Sequence, residues 1–398
     1  MTMGGRLFHG PLPALGLVFG VTLALAAPAT AKPHRLSVWS DVDATYAWAK
    51  PAIDFVADTN PWMRDFAPNA DGTYPFQPAT IETRKYFARS VVEAFAPTQP
   101  VDPAIPFTDL GPSDTFYPYA DVAVQLGWLK RTPSGGFQPD KPVTTTVVHR
   151  VLVLALGLQP AATALDHLHT ADGVVFRTPR NFGALLLGMR LGLRYNNSDE
   201  SMDVGPRTQL SRAQVAFSLY RAATEPSWIV PDLMSQYANI QLPSLSPNAQ
   251  AIVQWGIRFV GYPYVYAGEW GLSSQEPSAL GGQPIAGFDC SGFTWWLVRA
   301  NDGSTWNVSP PRPYAGWVLA ERSSADMARI GNVSFDQLQP GDLMFYDGNG
   351  DGRVDHVDTF IGNGWALDTS SSAGGVTIMW VGDGWYRDHF VHGRRVLP

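Results

Sequence analysis

The sequence contains a single cysteine, Cys290, among its 398 residues. One cysteine excludes a disulfide within the chain, and with it the small scaffolds that are held together by several disulfides. Charged residues are also scarce, at 16%, and the formal net charge is -7. Without a basic excess, the composition argues against electrostatic capture of nucleic acid. After residue 31, no apolar run is long enough to cross a bilayer.

Hydrophobic residues are abundant, at 45%, and 14 residues are tryptophan. A chain of this length and composition buries a sizeable core and is expected to form two or more domains. Its beginning has the order of an export signal, with Arg6, an apolar run over 14–27 and small residues at 29–31. We predict a signal peptide over 1–31 and a secreted mature protein without a membrane span. The alternatives are an uncleaved anchor and a buried strand.

Residues 39–222 contain one pattern three times, over about 39–96, 107–158 and 170–222. In each copy a proline stands six residues before an equivalent position, and these prolines are Pro78, Pro139 and Pro206. An amphipathic helix is expected after that position, because apolar residues recur there at helical spacing. Each copy is predicted to be helix, Gly/Pro loop and helix, which gives a mainly α-helical three-repeat domain. Residues 223–245 contain several prolines and little periodicity, which predicts an interdomain linker.

These copies resemble S-layer homology repeats, which form three-lobed helical domains and hold secreted proteins to cell-wall polymers. In that family a Thr-Arg pair begins the second helix of a repeat, and its arginine contacts an anionic wall polymer. The first copy matches with Thr83-Arg84, the third matches loosely with Ser211-Arg212, and the second lacks the arginine. The resemblance implies an anionic secondary cell-wall polymer as partner of Arg84 and Arg212. The alternative is that both arginines are solvated charges on a spacing domain.

The segment around the single cysteine predicts a helix with the thiol at its start. In the sequence FDCSGFTWWLVRAN, Asp289 is suited to cap a helix that begins at Cys290. The thiolate is the nucleophilic form of cysteine, and the positive end of a helix stabilises it. Backbone amides of the same turn can hold the oxyanion of a tetrahedral intermediate. Cys290 is therefore the candidate nucleophile, and the alternative is a buried cysteine that acts as a small hydrophobe.

A thiol nucleophile needs a base, and the strands predicted downstream provide a candidate. The sequence predicts two strands joined by a polar turn, then a third strand after residues 362–364. His356 stands at the start of the second strand, and Asp368 follows twelve residues later, across the turn. Antiparallel pairing can bring this carboxylate beside the imidazole, where it would orient the ring. We predict Cys290, His356 and Asp368 as nucleophile, base and orienting carboxylate.

The C-terminal part of the chain resembles the NlpC-type peptidoglycan endopeptidases, through the ordered motifs YPYVYAG, DCSGF, PGDLMFY, HVDTFIGNG and RRVL. The resemblance implies an α+β, papain-like catalytic domain over 246–398, with the cysteine helix packed on an antiparallel sheet. It implies that Tyr264 lines the substrate cleft, and that Asp289 and Ser291 hold the amine and carboxylate of the donor-side peptide. The alternative for Tyr264 is a packing aromatic. The third catalytic position of the family is usually His, Asn or Gln, and it corresponds to Asp368 here.

The segment DGNGDGRVDHVD, residues 347–358, has the oxygen spacing of a calcium loop, with Gly352 at its sharp turn. The candidate ligands are Asp347, Asn349, Asp351, Asp355 and Asp358. We therefore expect a structural calcium ion, although the chemistry itself requires no cofactor. The alternative is a hairpin turn, for which Asp, Asn and Gly are the usual residues.

Together, these features predict a secreted cysteine endopeptidase of the cell wall or cell surface. Its expected substrate is an amide bond in peptidoglycan stem peptides, and the resemblance implies the bond between γ-D-glutamate and a diamino acid. The N-terminal repeats would bind the wall. The alternative among enzymes is an amidase or acyl-transferase with the same dyad. The alternative outside enzymes is a non-catalytic wall-binding protein.

Overall fold

A computed structural model describes residues 38–102, 105–270, 285–298 and 319–397. The predicted signal peptide lies outside the described residues. The described part of the chain has helices in its first half and a five-stranded antiparallel sheet near its end. None of the helices in these ranges has both the length and the apolar character that crossing a membrane requires.

The first part of the fold is helical. Its helices are α1 Lys50–Ile53, α2 Arg84–Phe95, α3 Tyr117–Gln125, α4 Thr145–Ala155, α5 Gln159–Asp166, α6 Phe182–Arg190, α7 Arg212–Thr224 and α8 Ile229–Tyr237. The second part contains the helices α9 Pro247–Gly256, α10 Cys290–Val298, α11 Ser324–Met327 and α12 Gly384–Asp388. Its strands are β1 Glu269–Trp270, β2 Gly287–Phe288, β3 Leu343–Tyr346, β4 His356–Gly362, β5 Trp365–Ser370, β6 Gly375–Trp380 and β7 Phe390–Arg394.

The second helices of the three copies begin at the equivalent positions that the sequence repeat defines. Helices α2, α4 and α7 start at Arg84, Thr145 and Arg212. The amide of Arg84 donates to the carbonyl of Lys141 in the second copy, and the start of α4 contacts the third copy in the same way. The amide of Arg212, in the third copy, donates to the carbonyl of Thr80 in the first copy. The three copies therefore close a ring, in which the first amide of each of these helices donates to a carbonyl of another copy.

The segment 223–245, expected to be a linker, contains a packed helix. Tyr237 at the end of α8 is fully buried, and its hydroxyl donates to the carbonyl of Ile378 in β6 at 2.7 Å. The prolines suggested an irregular segment, but Pro231 stands in the first turn of α8, where proline is tolerated. One hydrophobic core consequently extends from the repeats into the sheet.

The antiparallel sheet has the strand order β6-β5-β4-β3-β7. His356 pairs with Tyr346 of β3, and Thr359 of the same strand pairs with Leu367 of β5. Helix α10 packs against β4 and β5 and belongs to the main core, while a second cluster that includes Tyr346 forms a separate small core. This arrangement confirms the predicted α+β class, with a helix that begins at the cysteine packed on an antiparallel sheet.

Candidate active site

Cys290 is the first residue of α10. Asp289 caps this helix, because its carboxylate accepts a hydrogen bond from the amide of Gly292 at 2.5 Å. Every residue from Ser291 to Val298 is buried, so the helix is held on all sides. The thiol itself is half-buried. The helix therefore presents a partly accessible sulfur at its positive end, as the sequence predicts.

The imidazole of His356 lies between the thiol and two carboxylates. The side chain of Cys290 is near enough to the ring to contribute to the raised pKa of His356. Its Nε2 atom is 3.0 Å from Oδ1 of Asp368 and 3.1 Å from Oδ1 of Asp358. Because both carboxylates are at Nε2, Nδ1 is the nitrogen left to face the thiol. The structure thus brings together the three residues predicted for catalysis and adds a second carboxylate.

The charges around His356 favour its cationic form. Burial by itself lowers the pKa of an imidazole, but Asp358 and Asp368 outweigh burial and hold the pKa of His356 well above its usual range. Burial raises the pKa of Asp358 to about 7, and the neighbouring charge of Asp368 contributes to that rise. Near neutral pH the ring is therefore positively charged. A cation beside a thiol stabilises the thiolate, which is the nucleophilic form.

Tyr264 lies near the same group. Burial first, and then the neighbouring Cys290 and Asp289, raises the pKa of its hydroxyl. The hydroxyl consequently stays protonated and can donate a hydrogen bond. The resemblance implies that Tyr264 lines the substrate cleft, and this stays a prediction.

Asp289 and Ser291 belong to an internal network that the sequence did not reveal. Each is 6% exposed. Arg322 donates from Nη1 to the Ser291 hydroxyl at 2.8 Å and lies 3.3 Å from Oδ1 of Asp289. Its Nε atom pairs with Glu269 at 2.5 Å. A substrate amine at Asp289 would have to compete with this guanidinium. No sequence spacing links Arg322 to Glu269, 53 residues away, so pattern reasoning could not find the network.

The two arginines expected to bind a wall polymer have different surroundings. Arg212 is 1% exposed, and its guanidinium pairs with Asp65 at 2.6 Å and with Glu82 at 3.0 Å. The expectation for Arg212 is therefore corrected: the first copy covers the start of α7, and the guanidinium stabilises the interior of the ring. Arg84 lines an open groove, although its Nε atom donates to the carbonyl of Phe137 at 2.8 Å.

The five residues expected as calcium ligands have two kinds of surroundings. Asp358 lies in β4 and is fully buried beside His356, so its expected place in the loop is corrected. The other four accept hydrogen bonds from loop amides, as Asp347 does from Gly352 at 2.8 Å. Calcium at these four residues stays a prediction, which chelation tests through activity and melting temperature together. Within the described ranges, the side chains whose ligand atoms gather within 4.8 Å are His356, Asp358 and Asp368.

Comparison with known proteins matches two parts of this chain. Residues 261–395 match the NlpC/P60 family, and residues 106–144 match the S-layer homology domain. The first match includes Cys290, His356 and Asp368, and the second falls on the second copy of the repeat. Both resemblances indicated by the sequence motifs are thereby confirmed.

The matches to curated relatives cover about a third of this chain. The gamma-D-glutamyl-L-lysine dipeptidyl-peptidase of Bacillus cereus is 28% identical over 155 residues, which are 38% of this chain and 38% of that protein. The peptidoglycan endopeptidase RipB of Mycobacterium tuberculosis is 35% identical over 136 residues, 33% of this chain and 48% of that protein. A solved NlpC/P60 family protein from Bacillus cereus is 28% identical, with a TM-score of 0.27, and the match covers 40% of this chain and 42% of that one. The matches therefore span less than half the length of these relatives.

Proposed function

We propose that this protein is a cysteine endopeptidase that hydrolyses an amide bond in the stem peptide of peptidoglycan. The observation that supports the proposal most directly is the place of the His356 ring, which lies 3.0 Å from Oδ1 of Asp368 and near enough to Cys290 for the thiol to contribute to its raised pKa. The names of the two relatives describe hydrolysis of a gamma-D-glutamyl-L-lysine compound and of peptidoglycan. For this chain we infer cleavage between γ-D-glutamate and a diamino acid.

In the proposed reaction, the thiolate of Cys290 attacks the amide carbonyl, and backbone amides at the start of α10 stabilise the oxyanion. His356 gives its proton to the departing amine, and the carbonyl remains on sulfur as a thioester. The neutral ring then accepts a proton from water. The attacking water releases the acid product and the sulfur, which completes hydrolysis. Asp368 keeps the ring in the orientation that both proton transfers need.

Digestion of purified peptidoglycan tests this proposal. Wild type should release fragments with a new diamino-acid amino terminus, identified by mass spectrometry, and Cys290→Ala should release none. His356→Gln should be inactive, while His167→Gln changes an exposed histidine of the repeats and should leave hydrolysis intact. Equal release by wild type and Cys290→Ala would exclude the thiol mechanism. Cleavage between sugar and peptide would favour the amidase alternative.

We also infer that the repeats bind an anionic wall polymer through a basic groove. The groove has a volume of about 1180 Å³ and lies between the repeats and the start of the catalytic region. Among its described lining residues the acidic one is Asp203, and the cationic ones are Arg84, Lys130, Arg131, Lys141, Arg150, Arg180, Arg207 and Arg258. In a chain of net charge -7, this cluster concentrates positive potential, which attracts a polyanion.

Neutralising three exposed cations of the groove tests the binding role. The combined variant Lys130→Gln, Arg180→Gln and Arg207→Gln should bind wall fragments at least about tenfold more weakly, because each cation pairs with the polyanion. The control variant has the same charge change outside the groove, at Lys50, Arg329 and Arg387. Equal binding by the two variants, measured by sedimentation with wall fragments, would contradict the inferred role.

The same proposal places the mature protein outside the cell, at the wall. The match to the S-layer homology domain supports attachment to the cell surface, and the N-terminal pattern supports export. Cell fractionation should recover the protein in the wall fraction, and chemical removal of anionic polymer should release it. Recovery in the cytosol would contradict export, and retention after polymer removal would contradict polymer-mediated attachment.

A further inference from the structure

Asp358 is a buried carboxylate for which the proposed reaction has no role. It is fully buried, and its Oδ1 atom lies 3.1 Å from Nε2 of His356. Asp368 contacts that same nitrogen at 3.0 Å. The hydroxyl of Tyr346 donates to Sδ of Met344 at 3.5 Å, and neither oxygen of Asp358 has a hydrogen-bond partner among the described residues. A buried carboxylate is costly without a charged or hydrogen-bonding partner, and the partner that the described residues offer Asp358 is the imidazole of His356.

The strands explain how two carboxylates reach one nitrogen. His356 and Asp358 are two residues apart on β4, so their side chains leave the same face of the sheet. The register Thr359–Leu367 between β4 and β5 places Asp368 opposite Asp358. Like charges on directly opposite residues repel each other. The pair is therefore favourable only with a cation or a proton between the carboxylates, and the imidazole is the group that occupies this place.

We propose that Asp358 is a positioning residue, which together with Asp368 fixes the ring of His356 so that Nδ1 points at Cys290. One hydrogen bond leaves a ring free to rock about that contact, whereas contacts from two carboxylates restrict its plane. The ring of Tyr346 restricts it further, with its centroid 5.5 Å from that of the imidazole. The second negative charge also favours the cation that donates a proton to the leaving amine.

The substitution Asp358→Asn separates this role from a merely structural one. It keeps the size of the side chain and removes its charge. The activity readout rests on the proposed hydrolysis: kcat on a defined muropeptide should fall at least about tenfold, while KM changes less than about twofold. We expect kcat to change more than KM because Asp358 acts through the ring of His356 and does not touch substrate. The control Asp388→Asn removes an exposed carboxylate of the same region and should change neither constant.

Alkylation of Cys290 by iodoacetamide provides a readout that needs no substrate. At neutral pH, the alkylation rate should fall at least about fivefold in Asp358→Asn, because a less well held imidazolium stabilises less thiolate. An unchanged rate in a folded variant would overturn the inference, whether or not the wild type hydrolyses peptidoglycan. A lowered rate in a protein that digests no peptidoglycan would instead overturn the proposed function alone.

Two further measurements keep the test decisive. Where Asp358→Asn does not fold, Asp358→Ser serves the same comparison, with circular dichroism to confirm the fold. All assays are repeated with a chelator, since His356, Asp358 and Asp368 are also close enough to hold a metal. A zinc-selective chelator, which leaves calcium in place, should not change wild-type activity. Activity that is lost with the chelator and restored by zinc would show that the three side chains are metal ligands, and would overturn the positioning role.

Discussion

Arg322 is the cation on which two carboxylates behind the candidate nucleophile depend. Glu269 is fully buried and Asp289 nearly so, and Arg322 is in contact with both. Removing one partner of a buried ion pair leaves an uncompensated charge, which costs about 3–5 kcal/mol. We expect Arg322→Met to lower the free energy of unfolding by about that amount, measured by urea denaturation. Activity should fall with it, because Asp289 caps the helix that carries Cys290.

Arg329→Met is the matched control for this change. Arg329 also pairs with an aspartate, but its side chain is 80% exposed, so its loss should cost less than about 1 kcal/mol. The double variant Arg322→Met with Glu269→Gln should recover part of the lost stability, since it removes one of the two carboxylates that Arg322 contacts. Equal losses for the two single arginine variants would refute the importance of the buried network.

Glu82 is expected to make stability depend on pH. Burial raises its pKa to about 7, although Arg212 opposes the shift. The folded protein therefore holds this proton more tightly than the unfolded chain, whose glutamate titrates near 4.5. The contribution is complete below the unfolded pKa and is lost as the pH rises through about 7. Between about pH 5 and pH 8, wild type should lose on the order of 2 kcal/mol more than Glu82→Gln. Parallel pH profiles of urea unfolding would contradict this.

At the scale of elements, α10 can approach the β1 strand region only because residue 292 is glycine. A Cβ atom at Gly292 would overlap the backbone carbonyl of Gly268. We expect Gly292→Ala to shift the helix start and to destabilise the protein by about 2–3 kcal/mol. Gly111→Ala is the control, because no atom lies within 4 Å of the added carbon. Thermal unfolding and alkylation of Cys290 measure both effects, and equal melting temperatures would disprove the steric argument.

The elements that the sequence predicted correctly are those with local signals. Ser246 was recognisable as a cap, and its hydroxyl accepts from the amide of Ala249 at 3.3 Å at the start of α9. The helix starts at Arg84, Thr145 and Arg212 follow from a repeated spacing, and each is the first residue of its helix. Strand β4 follows from the apolar residues after His356. Caps and periodicity act within a few residues, so one sequence is enough to find them.

The features that were missed depend on contacts between distant segments. The pairing of Arg322 with Glu269 spans 53 positions and has no local signature. Helix α8 was missed because the prolines of segment 223–245 indicated a linker more strongly than the short apolar face of the helix indicated a helix. Asp358 could have been found, since a residue two places after His356 on a strand shares its face. Asp358 also fits the spacing of a calcium loop, and the sequence favours that role. Its burial beside His356 is compatible with only one of the two roles.

At the scale of the whole molecule, the third repeat contacts the segment that carries Tyr264. Arg194 donates from Nη1 to the carbonyl of Gly261 at 2.8 Å, and its Nη2 contacts the carbonyl of Gly374. The carbonyl of Gly374 also accepts from the amide of Tyr264 at 3.0 Å. The hydrophobic core that extends from the repeats into the sheet also joins these two parts of the chain. The third repeat is therefore joined by hydrogen bonds to the backbone of the segment that carries Tyr264.

Arg194→Met tests whether the repeats support the site. The methionine fills similar space but donates no hydrogen bond, so the carbonyls of Val204, Gly261 and Gly374 lose a common donor. The carbonyl of Gly374 keeps the amide of Tyr264 as a donor, so the cost falls on the other two carbonyls. At about 1–3 kcal/mol for each, a loss of about 3 kcal/mol is expected in urea unfolding. KM for a muropeptide should rise as Tyr264 becomes less ordered. Arg207→Met, at an exposed position of the same region, should leave both quantities unchanged. A stable Arg194→Met protein with wild-type KM would mean that the catalytic region holds its cleft without the repeats.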